Sequence, residues 1–119
     1  MIASPGADGI LFAMSTQPIR DPETDALLTP KNAALLLIDY QPPQVNTIAS
    51  MDRPALVNNV VTLAKIAKAY GLPIVLSTVN VNNGVNPDTI PQLRDVLKGV
   101  PSIDRTTINS WEDPGFVAA

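Results

Sequence analysis

The stretch Ala33-Ala34-Leu35-Leu36-Leu37-Ile38-Asp39 decides how this 119-residue chain is read. It is a continuous apolar run closed by a carboxylate, with Pro30 ahead of it and Gln41-Pro42-Pro43 behind it. A run this short, bracketed by proline, is read as a β-strand buried on both faces rather than as a helix. Strands of that kind belong to parallel sheets with helices packed on either side. Proline has no N–H to donate to a ladder, so Pro42 and Pro43 end the strand.

Downstream, Leu56, Val60, Leu63, Ala67 and Tyr70 recur at steps of four and three, the stripe of an amphipathic helix, widened by Val57, Val61 and Ala64. Asp52 suits the N-cap, Gly71 the position after the last turn, and Pro73 prevents continuation, which predicts a helix over 53–70. Pro73-Ile74-Val75-Leu76-Ser77-Thr78-Val79 is a second apolar strand. Strand, helix and strand with short joints form a βαβ unit, so the two strands are expected to be parallel with a right-handed crossover. Asn80 to Asn86 is a polar loop. Asp88 is expected to cap a further helix with Ile90, Leu93, Val96 and Leu97 on one face, ending at Gly99. Residues 101–108 hold a short third strand or extended segment. Asp113-Pro114 is a fresh helix start, an acid at the N-cap with proline at N1. Only Gly115 to Ala119 follow. A single turn carries the nucleation cost without the propagation gain, so the chain is expected to stop where a longer protein continues.

Upstream, residues 1–30 read as an irregular arm punctuated by Pro5, Pro18, Pro22 and Pro30. Ile10-Leu11-Phe12-Ala13 is too short, and lacks the basic flank, for a signal peptide. Residues 1–13 read as an over-long start, with Met14 as the initiator.

Composition excludes several functions. Eight basic and eleven acidic residues give a net charge of −3, and the basic ones are scattered. Neither nucleic acid nor an anionic membrane is expected as a partner. No apolar run approaches the roughly 18 residues of a membrane-spanning helix. Cysteine and histidine are both absent. Disulfides, Cys- or His-built metal sites, a Cys nucleophile and a His base are thereby excluded within this chain. The lack of cysteine agrees with a cytoplasmic setting. No Gly-rich phosphate loop occurs, and no metal or organic cofactor is implied.

Asp39 is the sharpest candidate for chemistry. It stands at a strand's carboxyl end, the edge where open α/β sheets bind ligands. Partial desolvation there raises a carboxyl pKa and suits it to a base role. The alternative is a strand-end aspartate that caps local amides. Arg105, after the third apolar segment, is a binder of an anionic substrate, a partner of Asp39, or a solvated surface residue. Gln41 hydrogen-bonds a substrate, orients Asp39, or fills the turn. Asn109 is a substrate contact or a turn residue. Trp111, the sole tryptophan, is a substrate platform or a packing anchor. Ser77 and Thr78 point to the same edge, but without histidine no Ser-His-Asp triad can form. Asp88, Asp95 and Asp104 read as solvated or capping residues.

Ala34-Leu35-Leu36-Leu37-Ile38-Asp39-Tyr40-Gln41 resembles the opening strand of isochorismatase-like hydrolases, a superfamily that includes isochorismatases and nicotinamidases and opens with an apolar strand ending in Asp-x-Gln. The helix running to Tyr70-Gly71-Leu72-Pro73 and the strand Ile74-Val75-Leu76-Ser77-Thr78 resemble the same family. Arg105 with Ile108-Asn109-Ser110-Trp111-Glu112-Asp113 is similar to one branch of it, in which a basic residue precedes an Asn-x-Trp-acid motif. The resemblance covers residues 30–119 and nothing before them.

The resemblance implies an α/β fold, a three-layer α/β/α Rossmann-like parallel sheet, present over 31–119 as a partial, N-terminal portion. It also implies hydrolysis of a C–N or C–O bond in a small molecule of amide, ester or vinyl-ether type. The family uses an Asp, a basic residue that is usually Lys, and a Cys nucleophile. Asp39 and Arg105 match the first two; the Cys, which in the family follows the next strand, has no counterpart here. Gln41, Asn109 and Trp111 fall where substrate contacts are expected. Arginine barely titrates, so Arg105 in place of Lys departs from the common proton relay. In the family the first strand is central, so Leu35 to Ile38 are expected to show an unpaired apolar edge. The chain is therefore expected to be truncated, inactive alone and marginally stable as a monomer. A homo-oligomer is expected, or a non-catalytic assembly or regulatory module paired with a full-length paralogue. A truncation product without function, and an unrelated small hydrolase dependent on Asp39, are the remaining readings.

Overall fold

The computed structural model describes Thr24 and residues 27–119. The start at Met14 and most of the arm expected over 1–30 lie outside the described residues. Ahead of the first strand, Asn32 closes a turn. Its Oδ1 accepts from Thr29 N at 2.6 Å and its Nδ2 donates to the Leu27 carbonyl at 3.0 Å.

Strand β1, Leu35–Ile38, runs parallel to β2, Ile74–Val79, and β2 runs parallel to β3, Ser102–Arg105, in the order β1-β2-β3. The α/β fold with a parallel sheet is thus as the sequence indicated. Leu37 stands beside Leu76, and Ser77 lies between Ile38 and Ile103. Because side chains alternate between faces, this register divides the sheet. Leu37 and Leu76 share one face and meet Val60 and Ala64 of α2, Arg53–Ala69, and Leu93 of α3, Pro91–Val96. Ile90, Leu97 and Val45 complete that buried cluster. Val45 belongs to α1, Pro42–Asn46, a turn the sequence reading missed. The prolines that end β1 sit at the first positions of a helix, where a missing N–H costs nothing.

Helix α2 begins as expected, with Asp52 accepting from Ala55 N at 3.0 Å, and turns out at Gly71, whose φ is +68°. Its buried stripe, however, is Val60, Ala64 and Ala67; Leu63 and Tyr70 are exposed. The stripe is rotated toward Val57, Val61 and Ala64, which pack on the cluster that also holds Leu93 of α3. The cap expected of Asp88 is not made. Ile90 N donates to the Tyr40 carbonyl at 2.8 Å, which pins residue 90 to the end of β1 and starts α3 after it. Asp88 instead accepts from Thr89 N at 2.7 Å.

The expectation that β1 is buried on both faces is corrected. Leu36 and Ile38 are 42% and 38% exposed. Their face also carries Val75 and Ile103 and is met by a short helix, α4, Pro114–Ala118, at Ile103: a Cβ on Gly115 would stand 3.6 Å from Ile103 Cγ2. One turn of helix cannot cover a face that size. That turn persists because Asp113 Oδ1 caps Phe116 N at 2.9 Å and Phe116 is buried, its ring edge-on to Trp111 at 5.5 Å between centroids. Tertiary burial supplies what an isolated turn lacks. Among the described residues no helix is long and apolar enough to cross a membrane.

Candidate functional site

Among the described residues two non-glycine residues adopt left-handed backbone, Asp39 at φ 59° and Asn80 at φ 57°. Each directly follows a strand, β1 and β2 respectively, so both mark the sheet's carboxyl edge. Asp and Asn tolerate this region better than other L-residues. Asp39 N still completes the ladder by donating to the Ser77 carbonyl at 3.0 Å. The chain then turns off, and the Asp39 carboxylate meets Arg105 from the end of β3.

The pair is bidentate. Arg105 Nη1 donates to Asp39 Oδ1 at 2.8 Å and Nη2 to Oδ2 at 2.7 Å. The remaining guanidinium N–H groups donate to Ser110 Oγ at 3.0 Å, the Thr78 carbonyl at 3.2 Å and the Ile108 carbonyl at 3.3 Å. An arginine has five N–H donors, and all five are engaged. The Arg105 side chain is 0% exposed, while that of Asp39 is 24% exposed. Burial pushes the Asp39 carboxyl above its ordinary range, against the opposing pull of Arg105, and the Asp104 carboxylate adds to the rise.

Gln41, two residues beyond Asp39, is wholly buried. Its Oε1 accepts from Val79 N at 2.9 Å, and its Nε2 donates to the carbonyls of Val79 at 3.1 Å and Pro87 at 2.8 Å. Because β1 has turned away at Asp39, the Gln41 amide takes the place of a backbone peptide beside Val79 and extends the ladder by one residue. Both polar atoms of the Gln41 amide are thus bonded to backbone, which fastens the segment just after the Asp39 turn.

Asp104, left as a solvated or capping residue, holds the loop over 80–86. Its carboxylate accepts from Thr78 Oγ1 at 2.9 Å, Val81 N at 3.1 Å and Asn82 N at 2.9 Å. Partial burial works to raise its pKa but is outweighed by the amides of Asn82 and Val81, the Thr78 hydroxyl and the charge of Arg105, so it sits below the ordinary 3.8. A carboxyl lowered by folding stabilises above its ordinary value, and that contribution is lost as pH falls through the folded value. Asp39, raised by folding, works in the opposite sense. Asp104→Asn is therefore expected to flatten the acid limb of a melting-temperature profile between neutral pH and the region below 3.8. An acid limb as steep as that of the parent would show that Asp104 does not carry it.

Asn109 Oδ1 accepts from Trp111 N at 3.1 Å and caps a 3-10 turn, Ser110–Glu112. Trp111 is 66% exposed. Asp39 and Arg105 are thus brought into contact, Gln41 is bonded to the backbone of Val79 and Pro87, and Asn109 and Trp111 sit on the turn that supplies Ser110 to Arg105. Ser110 itself escaped the sequence reading; a serine five residues after an arginine carries no signal of its own. Among the described residues no cluster of acids is placed to hold a metal ion. A groove lined by Val45, Arg53, Pro54, Val57, Val61 and Gln92 lies between the helices and includes none of these site residues.

No family model matches the chain. It is homologous to the probable hydrolase YcaC of Escherichia coli (strain K12), with 32% identity over 93 residues, which is 77% of this chain and 44% of that protein. Among solved structures it resembles YcaC from Pseudomonas aeruginosa with hexane-2,5-diol and covalent acrylamide, at 31% identity and a TM-score of 0.71, covering 78% of this chain and 46% of that one. It also resembles the crystal structure of the Escherichia coli YcaC gene product, an octameric hydrolase of unknown specificity, at 30% identity and a TM-score of 0.71, covering 87% of this chain and 48% of that one. The chain therefore spans less than half the length of each of these relatives.

Proposed function

We propose that this chain supplies the Asp–cation part of an isochorismatase-like hydrolase site, in which the thiolate nucleophile comes from outside these 119 residues. The observation that carries the reading is the part-buried bidentate contact between Asp39 and Arg105 at the carboxyl edge of the parallel sheet. The homology to a probable hydrolase supports it, and so does the fold shared with YcaC. The raised pKa of Asp39 suits a group that takes a proton and returns it. In the proposed reaction Asp39 accepts the thiol proton, the thiolate adds to the substrate carbonyl carbon, and Asp39 gives the proton to the departing amine or alcohol. Water then hydrolyses the resulting thioester. Arg105 holds the carboxylate in place without exchanging protons. Asn109 and Trp111, on the neighbouring turn, are proposed as the substrate-facing rim. The chain has no cysteine, so by itself it is proposed to be inactive.

The covalent acrylamide in the Pseudomonas aeruginosa protein offers a direct test, because acrylamide is an electrophile that strong nucleophiles capture. Residues 31–119 are grafted into that protein in place of its matching segment, and covalent uptake of acrylamide is followed by mass spectrometry. The chimera is expected to react, and its Asp39→Asn form to react far more slowly. A folded chimera that stays unmodified, while its parent reacts, would sink the proposal.

A second reading, an assembly module, rests on the exposed Leu36 and Ile38 of β1 and on the octamer formed by the Escherichia coli protein. Co-purification of a longer homologue, lost when both residues are made charged, is its expected signature.

A further inference from the structure

We infer that Asn83-Gly84, in the loop beyond β2, is a site of spontaneous covalent modification: the Asn83 amide is lost through a cyclic imide, and the product slackens the loop that Asp104 holds at the sheet's carboxyl edge. Every reacting atom but water belongs to this chain. The Gly84 backbone nitrogen gives its proton to solvent and bonds to Asn83 Cγ. The Cγ–Nδ2 bond breaks, and ammonia leaves with a proton from solvent. Water then opens the imide at either carbonyl. Opening at Cγ yields aspartate; opening at the main-chain carbonyl yields isoaspartate, in which the chain runs on through the side chain.

The loop is built for this step. Val85 N donates to Asn83 Oδ1 at 3.1 Å. That bond folds the side chain back along its own backbone, closing a ring that contains both Cγ and the Gly84 nitrogen. It also sets a donor on the oxygen where negative charge develops during attack. Asn83 and Gly84 are both exposed, and a Cβ on Gly84 would meet nothing within 4 Å, so water and backbone motion have room. No other asparagine precedes a glycine. Asn109 makes the same turn with Trp111 N, but its successor Ser110 is buried and held by Arg105. Asn58 and Asn59 lie within α2, where the following N–H is bonded along the helix. Asn86 precedes Pro87, which has no N–H. Two bonds restrain Asn83-Gly84 and must open first: Gly84 N donates to the Val81 carbonyl at 2.9 Å, and Asn83 Nδ2 to Asn80 Oδ1 at 2.8 Å. The product cannot remake the second, because an oxygen replaces Nδ2. Isoaspartate also adds a main-chain carbon to a loop pinned at both ends, by Val81 N and Asn82 N on Asp104 and by Asn86 N on the Asn80 carbonyl.

The full chain is incubated at neutral and at mildly alkaline pH, in buffer and in urea, then digested at low pH and followed by peptide mass spectrometry. In the folded chain Asn83 is expected to convert at least about tenfold faster than any other asparagine, faster at the higher pH, and fastest of all in urea, where the two restraining bonds are gone. Conversion confined to urea, or a folded-chain rate no greater than that of the other asparagines, overturns the site. The converted fraction is separated by its added negative charge on anion exchange, and its amide hydrogen exchange is compared with that of the fresh chain. The Val81 and Asn82 amides are expected to exchange faster after conversion. Unchanged protection at both overturns the slackening of the loop.

Discussion

Replacing Asp39 by alanine is expected to destabilise the chain by roughly 3–5 kcal/mol, the usual result of leaving one member of a buried ion pair without its partner. The Arg105 side chain has no exposure and takes two of its five hydrogen bonds from Asp39. Deleting the carboxylate leaves two N–H groups of a buried guanidinium without the acceptors they now have. Neutralising both partners together, as in Asp39→Ala with Arg105→Met, is expected to cost much less than the single change, because the stranded charge goes with its counter-ion. Urea unfolding of the two variants and the parent measures the difference. A loss below about 1 kcal/mol for the single variant would place the pair with exposed salt bridges, and the Asp39–Arg105 contact would then have to be looser in solution than its 2.7 and 2.8 Å distances.

Much of the sheet was legible in the sequence, and the reason is local. The run to Ile38, the helix between Asp52 and Gly71 and the strand from Ile74 each carry their own start and stop signals, and a βαβ unit leaves little freedom in how they assemble. What was misread depends on neighbours. Leu63 fits the periodicity of α2 but lies off its buried side, because the core cluster packs on Val60 and Ala64 with Val57 and Val61 beside them. Asp88 has the chemistry of a cap, but the Tyr40 carbonyl sets where α3 begins. Leu36 and Ile38 read as buried because the sequence pattern of β1 is that of a strand covered on both faces. The same division holds at the site. Asp39 and Arg105 are conspicuous by residue type and place at strand ends. That they touch across β2, where Arg105 also donates to the Thr78 carbonyl, requires the three-strand register. The roles of Ser110 and Asp104 are likewise fixed by contacts that no single-sequence spacing encodes.

Gln41→Glu should have an effect of similar size, with a pH dependence that identifies its cause. The substitution is nearly isosteric, so packing is retained. It removes the two N–H groups that serve the Val79 and Pro87 carbonyls at 3.1 and 2.8 Å and sets an oxygen against each. At neutral pH the introduced carboxylate is buried, faces acceptors and has no cation within its hydrogen-bonding shell. A loss of several kcal/mol is expected from an unpaired buried charge combined with lost hydrogen bonds, each unsatisfied group costing about 1–3 kcal/mol. Burial and those carbonyls both favour the protonated acid, so folding raises the pKa of the introduced group. The penalty is therefore fully present above the folded value and shrinks as pH falls toward the ordinary range, where a protonated carboxyl can again donate one bond. The variant should accordingly gain stability relative to the parent on mild acidification, opposite in sign to the loss expected from Asp104. Gln41→Leu removes the same donors without adding charge, so its deficit relative to the parent should not respond to pH. If Gln41→Glu matched Gln41→Leu at every pH, the carboxylate would have to be reaching water, and Gln41 could not be the sealed clamp that carries β1 past the Asp39 turn.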